Sequence, residues 1–265
     1  MNIYLRTILL TLLMLPLTAY GVESAAAPAS AKPAAPAPSK APPPFPYHGE
    51  TMKFAVGWEF VSAGTATMAF SDKGKDGYRI DTDARTNKFF DMFKKVRDTI
   101  TSEGIYINGK PQSTLFDMDQ NERSYHAKKR TNFLWKENKV NFTQNGKTDS
   151  YEVTAGHLNV MDAFFLTRTL PVEKGKVLKI PVFDSRKKYE IEVHLLKKEM
   201  HRTPWGEAVE CLVIEPKLKS EGIFSSVGTM KIWLTNDARR IPLKMTAKIK
   251  IGRIIARLTG YQPPS

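Results

Sequence analysis

GTMKIWLTNDARRIPLKMTAKIKIGRIIARLTGY, residues 228–261, is the stretch that decides the fold class. Met230, Ile232 and Leu234 alternate with Lys231 and Trp233, the NDARR segment supplies a turn, and Met245, Ala247, Ile249 and Ile251 return on the inner side. Successive side chains of a strand point to opposite faces, so alternation over this length predicts a half-buried antiparallel hairpin. Lys244, Lys248 and Lys250 fall on the outer face, which reads first as a solvated surface and second as an anion-binding row.

Working outward, the same period recurs upstream. MKFAVGWEFVSAGTATMAFS (52–71) reads as a hairpin in which Gly57 and Gly64 mark a bulge or a close backbone approach. YRIDTDART (78–86), VRDTITSEGIYING (96–109), PQSTLFDMDQNE (111–122) and the segment from Ser124 to Val153 continue the pattern, with Asn108-Gly109 and Asn145-Gly146 as hairpin turns. Residues 175–200 add another hairpin. EAVECLVIEPKL (207–218) is more continuously apolar and is expected near the middle of the sheet, and SEGIFSSVG (220–228) reads as a loop. NKFFDMFKK (87–95) breaks the alternation and reads either as one helical turn packed on the core or as an apolar lip for a membrane or lipid, flanked by Lys88, Lys94 and Lys95.

Twelve to fourteen strands do not stay open and flat. The expected architecture is therefore all-β with one main helix: a curled antiparallel sheet forming a half-barrel, barrel or β-spiral. The helix is LNVMDAFFLTRTLP, residues 158–171, capped by Asn159, with Asp162 in the place of a capping-box partner and Pro171 as its stop. Val160, Met161, Phe164 and Phe165 share one arc, so the helix is expected to pack on or plug the concave face of the sheet. Arg168 falls in the same arc. A cation among buried aromatics needs a partner. It is either half of a structural ion pair with a strand carboxylate, a cap on the last helical carbonyls, or the anchor for an anionic head group beside Met161, Phe164 and Phe165. Asp162, about 120° round the helix, is placed near that candidate ligand site rather than as the partner of Arg168.

The chain has 265 residues, 42% of them hydrophobic, enough for one substantial β domain over residues 47–262. Residues 1–21 have Arg6, an apolar run and small residues at Ala19 and Gly21, the pattern of a cleaved export signal, with an uncleaved anchor as the alternative. Residues 22–46 are almost wholly Ala, Pro and Ser and read as an extended linker. Both segments point to the periplasm. Cys211 is the single cysteine, so no internal disulfide holds the fold, and its place in an apolar strand marks it as buried packing.

The formal net charge is +13, nearly all of it in the folded part, which favours anionic partners such as lipid head groups or wall polymers. Export argues against nucleic acid. His126, Lys128 and Arg130 share one strand face and form a second candidate anion patch. The carboxylate pairs Asp81/Asp83 and Asp117/Asp119 are ordinary on a solvated strand face. No nucleophile elbow, phosphate loop, dinucleotide fingerprint or metal-ligand spacing appears, so no catalytic residue, cofactor or metal is assigned.

Three blocks in order, GETMKFAVGWEFVSAGTATM, VMDAFFLTRTLPVEKG and GTMKIWLTNDARRIPLKM, resemble the uncharacterised bacterial family called domain of unknown function 3108. The resemblance covers most of residues 47–260 and implies an exported β-rich envelope protein, with no reaction attached. The architecture is also similar to periplasmic half-barrel lipid carriers and β-spiral envelope proteins. The expected function is non-enzymatic binding of an amphiphilic or anionic envelope component, or of a partner protein, in envelope maintenance. The alternatives are a structural or wall-associated protein without a ligand cavity and an envelope ester or glycan hydrolase.

Overall fold

The computed structural model describes residues 45–265 apart from residue 75, residues 220–228 and residues 250–251. The segments expected as an export signal and, up to residue 44, as a linker, the expected SEGIFSSVG loop, Lys250 and Ile251 lie outside the described residues. Phe45 is buried and packs edge-on against Phe70, Tyr78 and Tyr106, so the folded part begins at least two residues before Tyr47.

The first half of the chain is a meander of eight strands: β1 (Thr51–Trp58), β2 (Val61–Asp72), β3 (Gly77–Thr86), β4 (Arg97–Ile107), β5 (Lys110–Glu122), β6 (Tyr125–Leu134), β7 (Lys139–Gln144) and β8 (Lys147–Glu152). A short helix, α1 (Lys88–Lys94), joins β3 to β4. The central helix α2 (Val160–Thr169) follows. A second meander then runs through β9 (Val177–Asp184), β10 (Lys187–Arg202), β11 (Ala208–Lys219), β12 (Met230–Thr235), β13 (Pro242–Lys248) and β14 (Arg253–Gln262). The first strand pairs antiparallel with the last, which fuses the meanders into one fourteen-stranded sheet in the order β8-β7-β6-β5-β4-β3-β2-β1-β14-β13-β12-β11-β10-β9.

Strand twist accumulated over so many strands brings the two edges of the sheet together. No backbone ladder closes the seam between β8 and β9. Side chains do so: Phe183 packs with Phe133, Val140, Phe142, Tyr151 and Val153, while Arg186 bonds Asp149 and Gln144, each at 3.1 Å. Leu158 adds a parallel bridge to Val182. The molecule is thus an open, barrel-like coil with α2 laid across its concave face. β11 lies third from an edge rather than in the middle. Its continuous apolarity arises because Cys211, Leu212, Val213 and Ile214 are all buried, so both faces of this stretch are covered.

Antiparallel pairing puts alternate connections on opposite rims. One rim carries the β1–β2 turn, α1 and the β5–β6, β7–β8, β9–β10 and β13–β14 turns. The other carries the C-terminal end of α2, where Arg168 meets Glu50. Gly64 shows how tightly α1's rim is built: a Cβ there would lie 2.0 Å from the Arg85 carbonyl oxygen. Asn108-Gly109 and Asn145-Gly146 have positive φ at both residues, as two-residue hairpin turns require.

Candidate functional site

α2 starts where the sequence places its cap. The Asn159 side chain accepts from the backbone N–H groups of Met161 and Asp162 at 2.9 and 3.0 Å. Asp162 does not complete a capping box. The Asn159 N–H instead donates to Ser113 Oγ at 2.9 Å, and Asp162 turns into the sheet. There it accepts from Tyr78 Oη at 2.7 Å, from Ser102 Oγ at 2.6 Å and from Ser113 Oγ. Burial pushes its carboxyl up to about 6, against the pull of those hydroxyls. The residues resemble a reactive cluster in kind, yet Asp162 has no exposed surface and its two oxygens are taken by strand side chains.

Arg168 meets a strand-edge carboxylate. Its Nη1 and Nη2 each lie 2.7 Å from Glu50, the residue before β1, in a two-pronged pair. Nε and Nη2 also donate to the Arg240 and Arg239 carbonyls at 3.1 Å. The guanidinium carbon stands 3.9 Å from the centre of the Tyr47 ring, and Tyr261 Oη donates to Glu50 at 3.1 Å. Both ion-pair side chains are wholly buried. Met161, Phe164 and Phe165 are buried beside them, and Phe165 packs against Phe45, Tyr47 and Phe70. The helix therefore pins the rim formed by β1, β12, β13 and β14, and Arg168 is occupied by the protein's own groups.

The two anion patches differ. On β5 and β6, Arg130 lies 3.1 Å from Asp117 and Lys128 3.8 Å from Asp119, so these two cations face carboxylates across the strands, while His126 Nδ1 lies 3.0 Å from Asn121 Oδ1. The paired aspartates thus serve as partners for cations. On β13 and β14, by contrast, Lys244 stands directly opposite Arg257 and Lys248 directly opposite Arg253. Burial, with the charge of Arg257 next, pushes the Lys244 ammonium down. Lys244 also lies 4.4 Å from the centre of the Trp233 ring. Like charges set opposite one another are destabilising, so this ladder is a costly arrangement.

The ladder runs to the rim that carries α1. The Glu59 N–H donates to the Arg253 carbonyl at 2.8 Å, tying the β1–β2 turn to β14. Asn87 in turn bonds the Ser62 and Ala63 carbonyls at 2.8 and 2.9 Å, tying α1 to β2. Five apolar side chains stand out along this rim: Phe60 is fully exposed, Phe89, Met92 and Phe93 more than half exposed, and Val61 exposed. Lys88, Lys95 and Arg123 are exposed beside them. Lys94 is not part of that fringe. It turns inward and its Nζ lies 2.8 Å from Glu122.

Sequence reading missed the groups that Lys94 points toward. Thr82, Asp98, Gln120 and Glu122 are buried and share the concave-face parity of Tyr78, Ile100, Ser102 and Met118. Lys129, half-buried on the same face of β6, donates to Gln120 at 2.7 Å. The signal was present, because Asp98 is in phase with Ile100 and Ser102.

The likeness to known proteins agrees with this geometry. A crystal structure titled as a beta-barrel-like protein of domain of unknown function DUF1849 from Brucella abortus superposes with a TM-score of 0.53 and 9% identity, over 82% of this chain and 98% of that one. At that identity the likeness concerns the fold alone. No curated protein matches. The sequence profile described as "Protein of unknown function (DUF3108)" matches residues 53–259, the β1-to-β14 sheet with both helices, and the chain belongs to that family.

Proposed function

We propose that this is an exported envelope protein, non-enzymatic, that seats its α1 rim on an anionic, amphiphilic surface. The observation that carries the reading is the row Phe60, Val61, Phe89, Met92 and Phe93, exposed together on one rim and adjoining a ladder in which Lys244 and Lys248 stand opposite Arg257 and Arg253. Apolar side chains on rigid turns gain by entering the acyl boundary, roughly 1.5–3 kcal/mol for each fully buried ring. Cations near an anionic leaflet add about 1 kcal/mol each. Neither contribution alone gives firm attachment; together they do. The apolar N-terminal run and the Ala/Pro-rich composition of the segment after it support a periplasmic location.

The test is sedimentation with vesicles of phosphatidylglycerol and phosphatidylethanolamine, against vesicles of phosphatidylcholine. The protein is expected to sediment with the anionic vesicles and to be released by salt. Phe89→Ser with Phe93→Ser should weaken binding at least ten-fold, and Lys244→Gln with Arg257→Gln should flatten the salt dependence. A protein that stays in the supernatant at low salt would exclude the reading. Salt-sensitive binding to wall polymer that ignores the Phe89 and Phe93 changes would favour the wall-associated alternative, carried by the ladder alone.

A further inference from the structure

The cation ladder on β13 and β14 belongs to a longer lateral row. The strand register sets Ala55, Arg257, Lys244, Trp233, Val213 and Lys197 side by side on the outer face, one from each strand from β1 through β14 to β10. Lys197 pairs with Glu199, which also accepts from the Trp233 indole N–H. Lys244 and Arg257 have no ion pair among the described residues, and their neighbours on either side, Trp233 and Ala55, bring no carboxylate. The other rung, Lys248 with Arg253, flanks the β13–β14 turn and is better balanced. Trp58 is the partner of Ile254, so Glu59 lies beside Arg253, and its carboxylate reaches the turn at Gly252.

The two rungs stand at different heights above the α1 rim. Lys244 is four residues from Lys248 and Arg257 four from Arg253, with Thr246 and Ile255 buried between them, a separation of about 13 Å along extended strands. Strands of a coiled sheet tilt by roughly 40° to its axis, which leaves about 10 Å of height. When the rim enters the acyl boundary, the Lys248–Arg253 rung lies among the head groups. The Lys244–Arg257 rung then lies further out by more than a screening length, which is about 8 Å at physiological ionic strength. A flat leaflet of monophosphate lipids reaches that upper rung only at low salt. Yet the upper rung is the better built for an anion. Directly opposed strand residues have Cα atoms about 5 Å apart, so an ammonium and a guanidinium can meet on one phosphate, which removes the repulsion between them. Arg257 is exposed, and the half-buried Lys244 has its ammonium directed over the Trp233 ring. We infer that the Lys244–Arg257 rung receives a second phosphate, carried on a sugar or polyol ring that projects above the leaflet's own phosphates. This rests on the rim reading and names the head-group class that the rim takes: a phosphorylated glycolipid rather than a simple phosphodiester lipid.

The experiment is sedimentation at physiological ionic strength with phosphatidylcholine vesicles that carry phosphatidylinositol 4-phosphate or, at matched surface charge, phosphatidylglycerol. The protein is expected to bind the first about five-fold more tightly or better. Lys244→Gln with Arg257→Gln should bring that ratio to about one, while Arg257→Lys, which keeps both charges, should preserve it. The double substitution removes like-charge repulsion, so its thermal midpoint should not fall, and a lost preference then reports on the rung rather than on folding. Phe89→Ser with Phe93→Ser should weaken binding to both vesicles and leave the ratio alone. Equal binding of both vesicles by the unaltered protein would overturn this inference and leave the rim reading standing. A preference that the double substitution leaves unchanged would overturn it as well, since the phosphate would then sit elsewhere. Sedimentation with neither vesicle would overturn both. Calorimetric titration with glucose 1-phosphate separates the remaining source: saturable binding lost in the double variant, while the two vesicles bind alike, would make the rung a site for free sugar phosphate and overturn the lipid assignment.

Discussion

Arg168 and Asp98 show two ways in which one buried charge is accommodated. Arg168 is matched by Glu50, two backbone carbonyls and the Tyr47 ring, so removing one partner strands the other. Arg168→Met should cost about 3–5 kcal/mol in chemical denaturation, whereas adding Glu50→Gln to it should recover part of the loss. Recovery of nothing would mean that the helix end, not the charge pair, holds this rim. Asp98 is matched by a single N–H, and its carboxyl rises to about 7 against an ordinary 3.8. A carboxyl raised on folding favours the native state while protonated, so its contribution is full below about pH 4 and is lost as pH rises toward 7. Glu122 shifts the same way through burial, against the charge of Lys94. Asp98→Asn should therefore raise stability at pH 8, on the order of a few kcal/mol, and flatten the decline between pH 4 and 7. The need of Arg168 for a partner was legible in the sequence because it sits on an apolar helical arc. Glu50 was not, since no local pattern links residues 118 positions apart.

At the scale of elements, the alternation of the strands and the Asn-Gly turns was readable because both are local, and Asn159 announced the start of α2 for the same reason. The helix runs Val160–Thr169 inside the expected 158–171. What local pattern could not supply is why α2 sits where it does. Tyr78, Ser102 and Ser113 come from three different strands and converge on Asp162 only once the sheet is coiled. Gly104 makes room for this convergence, because a Cβ there would lie 2.1 Å from Tyr78 Oη. Gly104→Ala should displace Tyr78 and cost roughly 2 kcal/mol or more through loss of a charge-assisted bond and crowding. Thermal unfolding measures the cost, and Tyr78→Phe alone should reproduce the hydrogen-bond part of it. For α1, an apolar run beside lysines left core and lip both open. The register of β3 and β4 turns Phe90 and Lys94 inward and leaves Phe89, Met92 and Phe93 outside.

For the whole molecule, the two rims are built differently, although both expose apolar side chains, Ile107, Val177 and Trp205 among them on the rim away from α1. One is fastened by the Arg168–Glu50 pair, the Arg239 and Arg240 carbonyls and the far end of α2. The other combines exposed aromatics, the end of a cation ladder and unpartnered acceptors just beneath. The curl of the sheet was legible from the number of strands, because so many twisted strands cannot remain flat. The closing of the β8/β9 seam by Phe183 and Arg186 was not, since it depends on where the accumulated twist brings the edges. The central claim is that the α1 rim enters a membrane surface, and spin-label depth measurement addresses it most directly. Cys211 is buried, with its thiol pushed up to about 11 by burial, so labels can be placed selectively through Phe60→Cys on the proposed rim and Lys174→Cys on the other. With phosphatidylglycerol-containing vesicles, the label at position 60 should become accessible to oxygen and shielded from a water-soluble relaxant, while that at position 174 stays aqueous. Equal aqueous exposure of both labels in vesicle-bound protein, or burial of position 174 instead, would contradict the account.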